Sequence, residues 1–396
     1  MRTSLKTLAL SLLIAAPTAH AQGLLALQNN LDRQQAEDPM AYSFYFGGGY
    51  DNLDYANSNL GDIDTPFAQA GVSATFSDID RQTPWNLGID AGSMYYFDSP
   101  AGVDEYSYMA KAAFNISHEA SERLRFSNNF YLTYEIEPNF GLGASTARRA
   151  GQYLYGYNNF SVAYAWSERF STTTSYTVDG IRYDDRAVGQ FEDRFSHVLS
   201  QQFSYAVSKT MKAVAEYRFR TTRYQHATGA DFTSHYLLAG VDKAWSERSR
   251  GSFRAGAEMY ESDRSSKTAP YFEAAYSHSA SEKTMVQVFT SVGFDGSELR
   301  NFGSRYSYRG GASATHDVSE RLRVNGSLNY VYSEFDNTAA DRDIKEHQIN
   351  ASAGLGYRLW NNVNLDANYT YTLLSSDDEF REYDRNRIYL GLNATF

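Results

Sequence analysis

The chain contains no cysteine, and only 7 of its 396 residues are proline. The first absence excludes disulfides and thiolate metal centres. It also excludes a lipid-anchored amino terminus, which needs a cysteine at the cleavage point. The second leaves long β ladders uninterrupted, because proline is what most often breaks them. A third absence is any apolar run beyond the amino-terminal leader long enough to be a membrane helix; mean hydropathy is −0.53. A transmembrane barrel stays open as a class. Its lipid-facing and lumen-facing side chains alternate, so its average hydropathy resembles that of a soluble protein.

What is abundant is aromatic: 32 Tyr and 24 Phe, residues that favour strands. The amino terminus reads as a secretory signal peptide over 1–21. Arg2 and Lys6 precede the apolar run Leu8 to Ala16, and Ala19-His20-Ala21 fits a small-x-small cleavage site before Gln22. The formal charge of −11 is accounted for by solvated acidic loops. Residues 22–39 carry Leu24, Leu25, Leu27 and Leu31 and end at Pro39. Two readings are open for this periplasmic N-terminal segment: a short amphipathic helix, or a disordered arm. Residues 40–396 are expected to form one outer-membrane β-barrel.

The barrel expectation starts from a repeat. Ser121-Glu122-Arg123, Ser167-Glu168-Arg169, Ser246-Glu247-Arg248 and Ser319-Glu320-Arg321 are its best copies; Ser208-Lys209-Thr210, Ser281-Glu282-Lys283 and Trp360-Asn361-Asn362 are looser ones. Successive markers are 46, 41, 38, 35, 38 and 42 residues apart. Between two markers lie two alternating runs split by a polar break: a tight turn, a strand out, a loop and a strand back. Counting these runs from 41–50 to 386–396 gives about 18 strands, with 16 as the alternative if early hairpins merge. The fold class is all-β, an antiparallel up-and-down transmembrane barrel.

Alternation is clearest near the end. Ile388, Leu390, Leu392, Ala394 and Phe396 share one parity, with Tyr389, Gly391, Asn393 and Thr395 on the other. All four tryptophans, Trp85, Trp166, Trp245 and Trp360, sit beside the tight turns. Tryptophan prefers the membrane–water interface, so they predict a periplasmic girdle. The breaks at 51–65, 136–150, 183–190, 335–345 and 375–385 are then expected outside the cell. Phe396, closing an amphipathic strand, is read as the assembly signal seen by the barrel-assembly machinery.

The closing run Tyr383-Asp384-Arg385-Asn386-Arg387-Ile388-Tyr389-Leu390-Gly391-Leu392-Asn393-Ala394-Thr395-Phe396 resembles the end of the putative beta-barrel porin 2 family. Gly49-Tyr50-Asp51-Asn52 is similar to that family's first hairpin. The resemblance covers residues 40–396 in layout, on short motifs. It implies an outer-membrane barrel, and for some members an association with exopolysaccharide export. It brings no catalytic residues.

If the apolar parity faces lipid, the lumen receives a basic wall: Lys111, Arg125, Lys212, Arg218, Arg220, Arg254, Arg305, Arg309, Arg323, Arg358 and Arg387. Asp90, Glu135, Glu216, Glu258, Glu273 and Asp366 share that wall. Two readings follow. Either Arg and Glu pair with one another, as Arg254 with Glu258 and Arg218 with Glu216, or the cations favour anions. Tyr153, Tyr155 and Tyr157 share the lumenal parity, as a track for sugars or as wall filling. His118, His278 and His316 near the turns and His226, His235 and His347 near outer loops form no catalytic constellation, so the reading is of no enzyme and no cofactor or metal. The expected function is a channel for hydrophilic solute, with export of an exopolysaccharide through a basic lumen as its most specific form. A general diffusion porin and a closed structural or assembly barrel are the alternatives. The expected partners are outer-membrane lipid, the assembly machinery and periplasmic polysaccharide-export proteins, with no nucleic acid.

Overall fold

The computed structural model describes residues 39–56, 62–78, 80, 82–99, 104–136, 152–226, 230–263, 265–295, 302–337 and 343–396. The expected signal peptide, and the N-terminal segment up to residue 38, lie outside the described residues. Eighteen strands follow in chain order: β1 (Met40–Tyr55), β2 (Ile63–Asp78), β3 (Trp85–Tyr96), β4 (Tyr106–Glu119), β5 (Leu124–Ile136), β6 (Gln152–Ala165), β7 (Phe170–Tyr183), β8 (Arg194–Ser208), β9 (Met211–Tyr224), β10 (Phe232–Ser246), β11 (Ser249–Ser262), β12 (Ser266–Ser281), β13 (Thr284–Asp295), β14 (Phe302–Asp317), β15 (Leu322–Asn337), β16 (Ile344–Trp360), β17 (Val363–Ser376) and β18 (Tyr383–Thr395). One short helix, α1 (Arg186–Glu192), interrupts the β7–β8 connection.

Every strand pairs antiparallel with its sequence neighbours, and β18 returns to β1, so the sheet closes on itself. Closure leaves no unpaired edge. The seam runs from Ser43 opposite Thr395 to Tyr55 opposite Tyr383. At the end of the seam that carries the C-terminal residue, the Tyr42 N–H donates to the Phe396 carbonyl at 2.9 Å, and the Phe396 N–H donates to the Tyr42 carbonyl at 2.7 Å. The count of eighteen is the larger of the two expected.

The serine markers explain the tight turns. Ser167 Oγ accepts the N–H groups of Arg169 and Phe170 at 3.3 and 3.0 Å. Ser121 and Ser319 do the same for the second and third residues that follow them. Ser208, Ser246 and Ser281 each accept one such N–H. A short hydroxyl side chain thus caps backbone donors that a two- to four-residue turn leaves without ladder partners.

Period-two alternation sets the two faces. In β9, Val214, Glu216, Arg218, Arg220, Thr222 and Tyr224 are buried on the inner face, while Ala215, Tyr217 and Arg223 are exposed outside. In β18, Arg385 and Gly391 are buried inside, and Ile388, Leu390 and Leu392 are exposed outside. Several strands run further outward than the hydropathy pattern predicts. Asp51 and Asn52, expected in an outer break, belong to β1, and Arg385 belongs to β18. Polar residues there suggest a loop, but Asp51 and Arg385 pair inside the barrel mouth, while Asn52 lies on the outward parity and donates to Asp54. The break at 183–190 is also corrected in part: α1 folds back over the inner wall rather than outward. Val188 packs in one buried cluster with Tyr131, Tyr153, Tyr155, Tyr157, Ile181 and Tyr183.

Candidate functional site: the lumenal wall

The inner wall is built from the inward parity of all eighteen strands, so its chemistry is a list of alternate residues. Its most densely charged part spans β8 to β12. Arg218 Nε donates to Glu216 Oε1 at 2.8 Å, and its two terminal nitrogens reach Glu273 at 3.0 and 3.2 Å. Ser200 and Tyr271 add hydroxyl donors to Glu216 and Glu273 at 2.7 and 2.6 Å. Arg254 takes Asp242 at 2.7 Å and lies 3.9 Å from Glu216. The expected Arg218–Glu216 pair forms, and the expected Arg254–Glu258 pair does not. Four residues along one strand span about 13 Å, beyond direct contact for these two side chains. Glu258 accepts the Phe294 N–H instead, at 2.8 Å.

The other predicted cations all lie on the inward parity, with varied partners. Lys111 Nζ is 2.9 Å from Glu135. Arg125 bridges to Glu119 at 2.5 Å, and Arg323 to Asp317 at 2.6 Å, each across a short turn. Arg220 lies 5.4 Å over the Phe232 ring and Arg305 5.7 Å over Phe335. Arg387 lies 4.5 Å over Phe67 and 3.9 Å from Asp51. Arg358 is exposed at the periplasmic end of β16. Arg309 lines a niche in the wall with Arg218, Arg220, Tyr236, Tyr271 and Ser307. Such a niche presents guanidinium and hydroxyl donors together, which suits an anionic or polyhydroxyl solute.

Three further cations of the inner wall escaped the sequence reading. Arg385 holds Asp51 at 2.7 and 2.5 Å, joining β18 to β1. Arg381, from the β17–β18 connection, is buried against Glu346 and lies 5.4 Å over Phe335. Arg194 begins β8 on the inward parity. The signal was present for Arg385, two residues before Arg387 on the same parity. It was absent for Arg381, which reaches the wall from outside any strand.

The three tyrosines face inward as expected, but Tyr153, Tyr155 and Tyr157 are 0, 9 and 4 % exposed. Tyr153 OH donates to Glu135 at 3.0 Å. Their rings share one buried cluster with Ile181, Tyr183 and Val188 of α1. All four tryptophans lie beside short turns. Trp166, Trp245 and Trp360 are 59, 60 and 65 % exposed on the outer wall. Trp360 has the wrong parity for that position. A bulge between Arg358 and Trp360 shifts the register and swings it outward, opposite Val363. The Phe396 ring sits on the outer wall beside Phe44, centroids 6.3 Å apart. His118, His278 and His316 each meet one hydroxyl, of Thr83, Ser249 and Thr284, near the turns.

Among solved structures, OccAB4 of Acinetobacter baumannii aligns over 92 % of this chain and 99 % of its own, at 14 % identity and a TM-score of 0.43. A BenF-like porin from Pseudomonas fluorescens Pf-5 aligns over 90 and 99 %, at 9 % identity and a TM-score of 0.47. The outer membrane protein opdK from Pseudomonas aeruginosa aligns over 91 and 99 %, at 8 % identity and a TM-score of 0.46. No curated protein matches the chain. The family model described as putative beta-barrel porin 2 matches residues 94–396, from the end of β3 to the final phenylalanine. The chain therefore belongs to the putative beta-barrel porin 2 family, and is a porin-like barrel of the outer membrane.

Proposed function

We propose that this barrel passes small hydrophilic solutes across the outer membrane, with a weak preference for anions at the niche of Arg218, Arg220 and Arg309. The observation that carries the reading is the contrast between the two faces. On β7 to β9 the inward parity carries Thr173, Ser175, Thr177, Ser196, Ser200, Glu216, Arg218 and Thr222, packed within the wall. Outside it presents Phe170, Leu199, Phe203 and Tyr205. A polar lumen in an apolar cylinder lowers the barrier for hydrated solutes without a dedicated site. Many of the cations are held by carboxylates, so selectivity is expected to be modest.

Export of an acidic exopolysaccharide is the more specific reading, and less supports it. A sliding polymer needs a continuous accessible track, and Tyr153, Tyr155 and Tyr157 are buried. The paired state of Arg218 and Arg254 also weakens a standing basic surface. Liposome swelling tests the proposal. Refolded mature protein is expected to admit monosaccharides quickly, disaccharides more slowly and long acidic oligosaccharides hardly at all. Folded barrels that admit none of them would overturn it.

A further inference from the structure

Pro270 sits inside β12, and proline has no N–H to give to a ladder. The β12–β13 ladder runs from Ser281 opposite Thr284 to Phe272 opposite Val292, and there it stops. Both strands go on. β12 stays paired with β11 as far as Ser266, and β13 with β14 as far as Asp295. Two more steps of the same register would set Pro270 against Phe294, a pair able to make only one of its two bonds. Side chains from the next strands take the freed groups instead. Glu258 of β11 accepts the Phe294 N–H at 2.8 Å, and Tyr306 OH of β14 donates to the Pro270 carbonyl at 2.5 Å. At the rim, Lys267 of β12 reaches Asp336 of β15 at 2.6 Å. Gly293 makes room for this crossing. A Cβ there would lie 2.7 Å from the Tyr271 ring and 2.9 Å from the Glu258 carboxylate.

The parted ladder lets rings meet that an unbroken sheet keeps on opposite faces. Phe232 and Tyr260 have the inward parity, with centroids 5.0 Å apart. Phe294, Tyr306 and Tyr308 have the outward parity. Yet Tyr260 lies 5.2 Å from Phe294, Phe294 4.9 Å from Tyr306, and Tyr306 5.4 Å from Tyr308. The five rings form a file through the wall. Arg220 caps its inner end, 5.4 Å over Phe232. At its other end Tyr308 is 43 % exposed outside. The niche of Arg218, Arg220 and Arg309 lies against this file, with Tyr271, Gly293 and Phe294 in its lining.

From this we infer that the breach is a side portal, through which a single-chain amphiphile with an anionic head passes between the lumen and the membrane around the barrel. The head rests on the guanidinium of Arg220, whose donors match a carboxylate. The chain replaces ring contacts along Phe232, Tyr260, Phe294 and Tyr306. An intact ladder would forbid this route, because opening it unpairs buried backbone groups. Here side chains bridge the gap, and they swing aside without unpairing a strand. The inference depends on the outer-membrane placement but not on solute passage along the axis.

The test uses the refolded mature protein in lipid vesicles and dodecanoate carrying a photoreactive diazirine on its chain. After illumination and digestion, label is expected on the peptides that hold Tyr260, Phe294 and Tyr306. Unlabelled dodecanoate should compete at about tenfold lower concentration than dodecanol, the worth of one charge-assisted bond, and acetate should not compete. Arg220→Gln should weaken labelling of these peptides by about tenfold and leave label elsewhere on the wall unchanged. Phe294→Trp narrows the file without removing a charge; it should also weaken the labelling, and serves if the arginine variant does not fold. Label spread over the exposed outer wall in proportion to its area would overturn the inference. So would equal competition by dodecanol or acetate, or unchanged labelling in the folded variants. Conductance plays no part in the readout, so a failure of axial passage is told apart from a failure of the portal.

Discussion

Asp51 and Arg385 are 334 residues apart in sequence and meet only when the barrel closes. Asp51 is 0 % exposed and Arg385 5 %. Two nearly parallel hydrogen bonds of 2.7 and 2.5 Å join them, and Tyr96 OH donates to the same carboxylate at 2.8 Å. Replacing Asp51 with Asn keeps the volume and removes the charge. Arg385 is then left buried without its counter-ion, a change that costs about 3–5 kcal/mol. Tyr96→Phe removes one bond to a charged acceptor and should cost about 1.5–3 kcal/mol. The double variant Asp51→Asn/Arg385→Gln should cost less than the sum of its single variants, with a coupling of about 1–3 kcal/mol. The assay is equilibrium urea unfolding in lipid vesicles, read by tryptophan fluorescence and by gel mobility of unboiled samples. A cost under about 1 kcal/mol for Asp51→Asn, the range of an exposed pair, would refute the claim that this contact locks the seam. So would strict additivity in the double variant.

Other perturbations probe other parts of the account. Leu390 lies outward near the middle of β18 and Asn393 inward; Leu390→Arg should cost about 2–4 kcal/mol in vesicle unfolding. Asn393→Ala should change stability by less than about 1 kcal/mol, and equal effects would reverse the two faces. At Gly49 in the seam, an added Cβ would lie 1.9 Å from the Ile388 carbonyl oxygen and 2.6 Å from the Phe67 ring. Gly49→Ala should therefore abolish the fast-migrating folded band on unboiled gels. In α1, Val188→Asp puts a charge into the buried cluster that holds Tyr155 and Tyr183 and should release the helix from the wall, raising single-channel conductance while the folded band persists.

The parts legible in the sequence were those governed by local physics. The serine turns repeat because a hydroxyl two or three residues before an unpaired N–H is a local solution, and each turn states it again. The face assignment follows from period two, so Leu390 and Asn393 were placed by counting. What escaped was non-local. Arg218 and Glu273 sit on β9 and β12, with β10 and β11 between them, and only the curvature of a closed wall brings them together. Asp51 and Arg385 looked like loop residues because charge near a strand end usually meets water; here the barrel mouth supplied a partner. Trp360 lies outward beside the short turn, although simple parity would send it inward without the bulge. The seven-residue α1 carries no signal of its own, since its only apolar anchors, Val188 and Phe191, fall in a stretch too short for helical periodicity.

The central claim, an open lumen whose polar wall is only weakly biased in charge, is tested most directly by reversal potential. Refolded mature protein is placed in a planar bilayer under a salt gradient. The account predicts discrete conductance steps and a small reversal potential of anion-favouring sign, reduced by Arg305→Gln/Arg309→Gln. Strong cation selectivity, or properly folded barrels that never conduct, would contradict it.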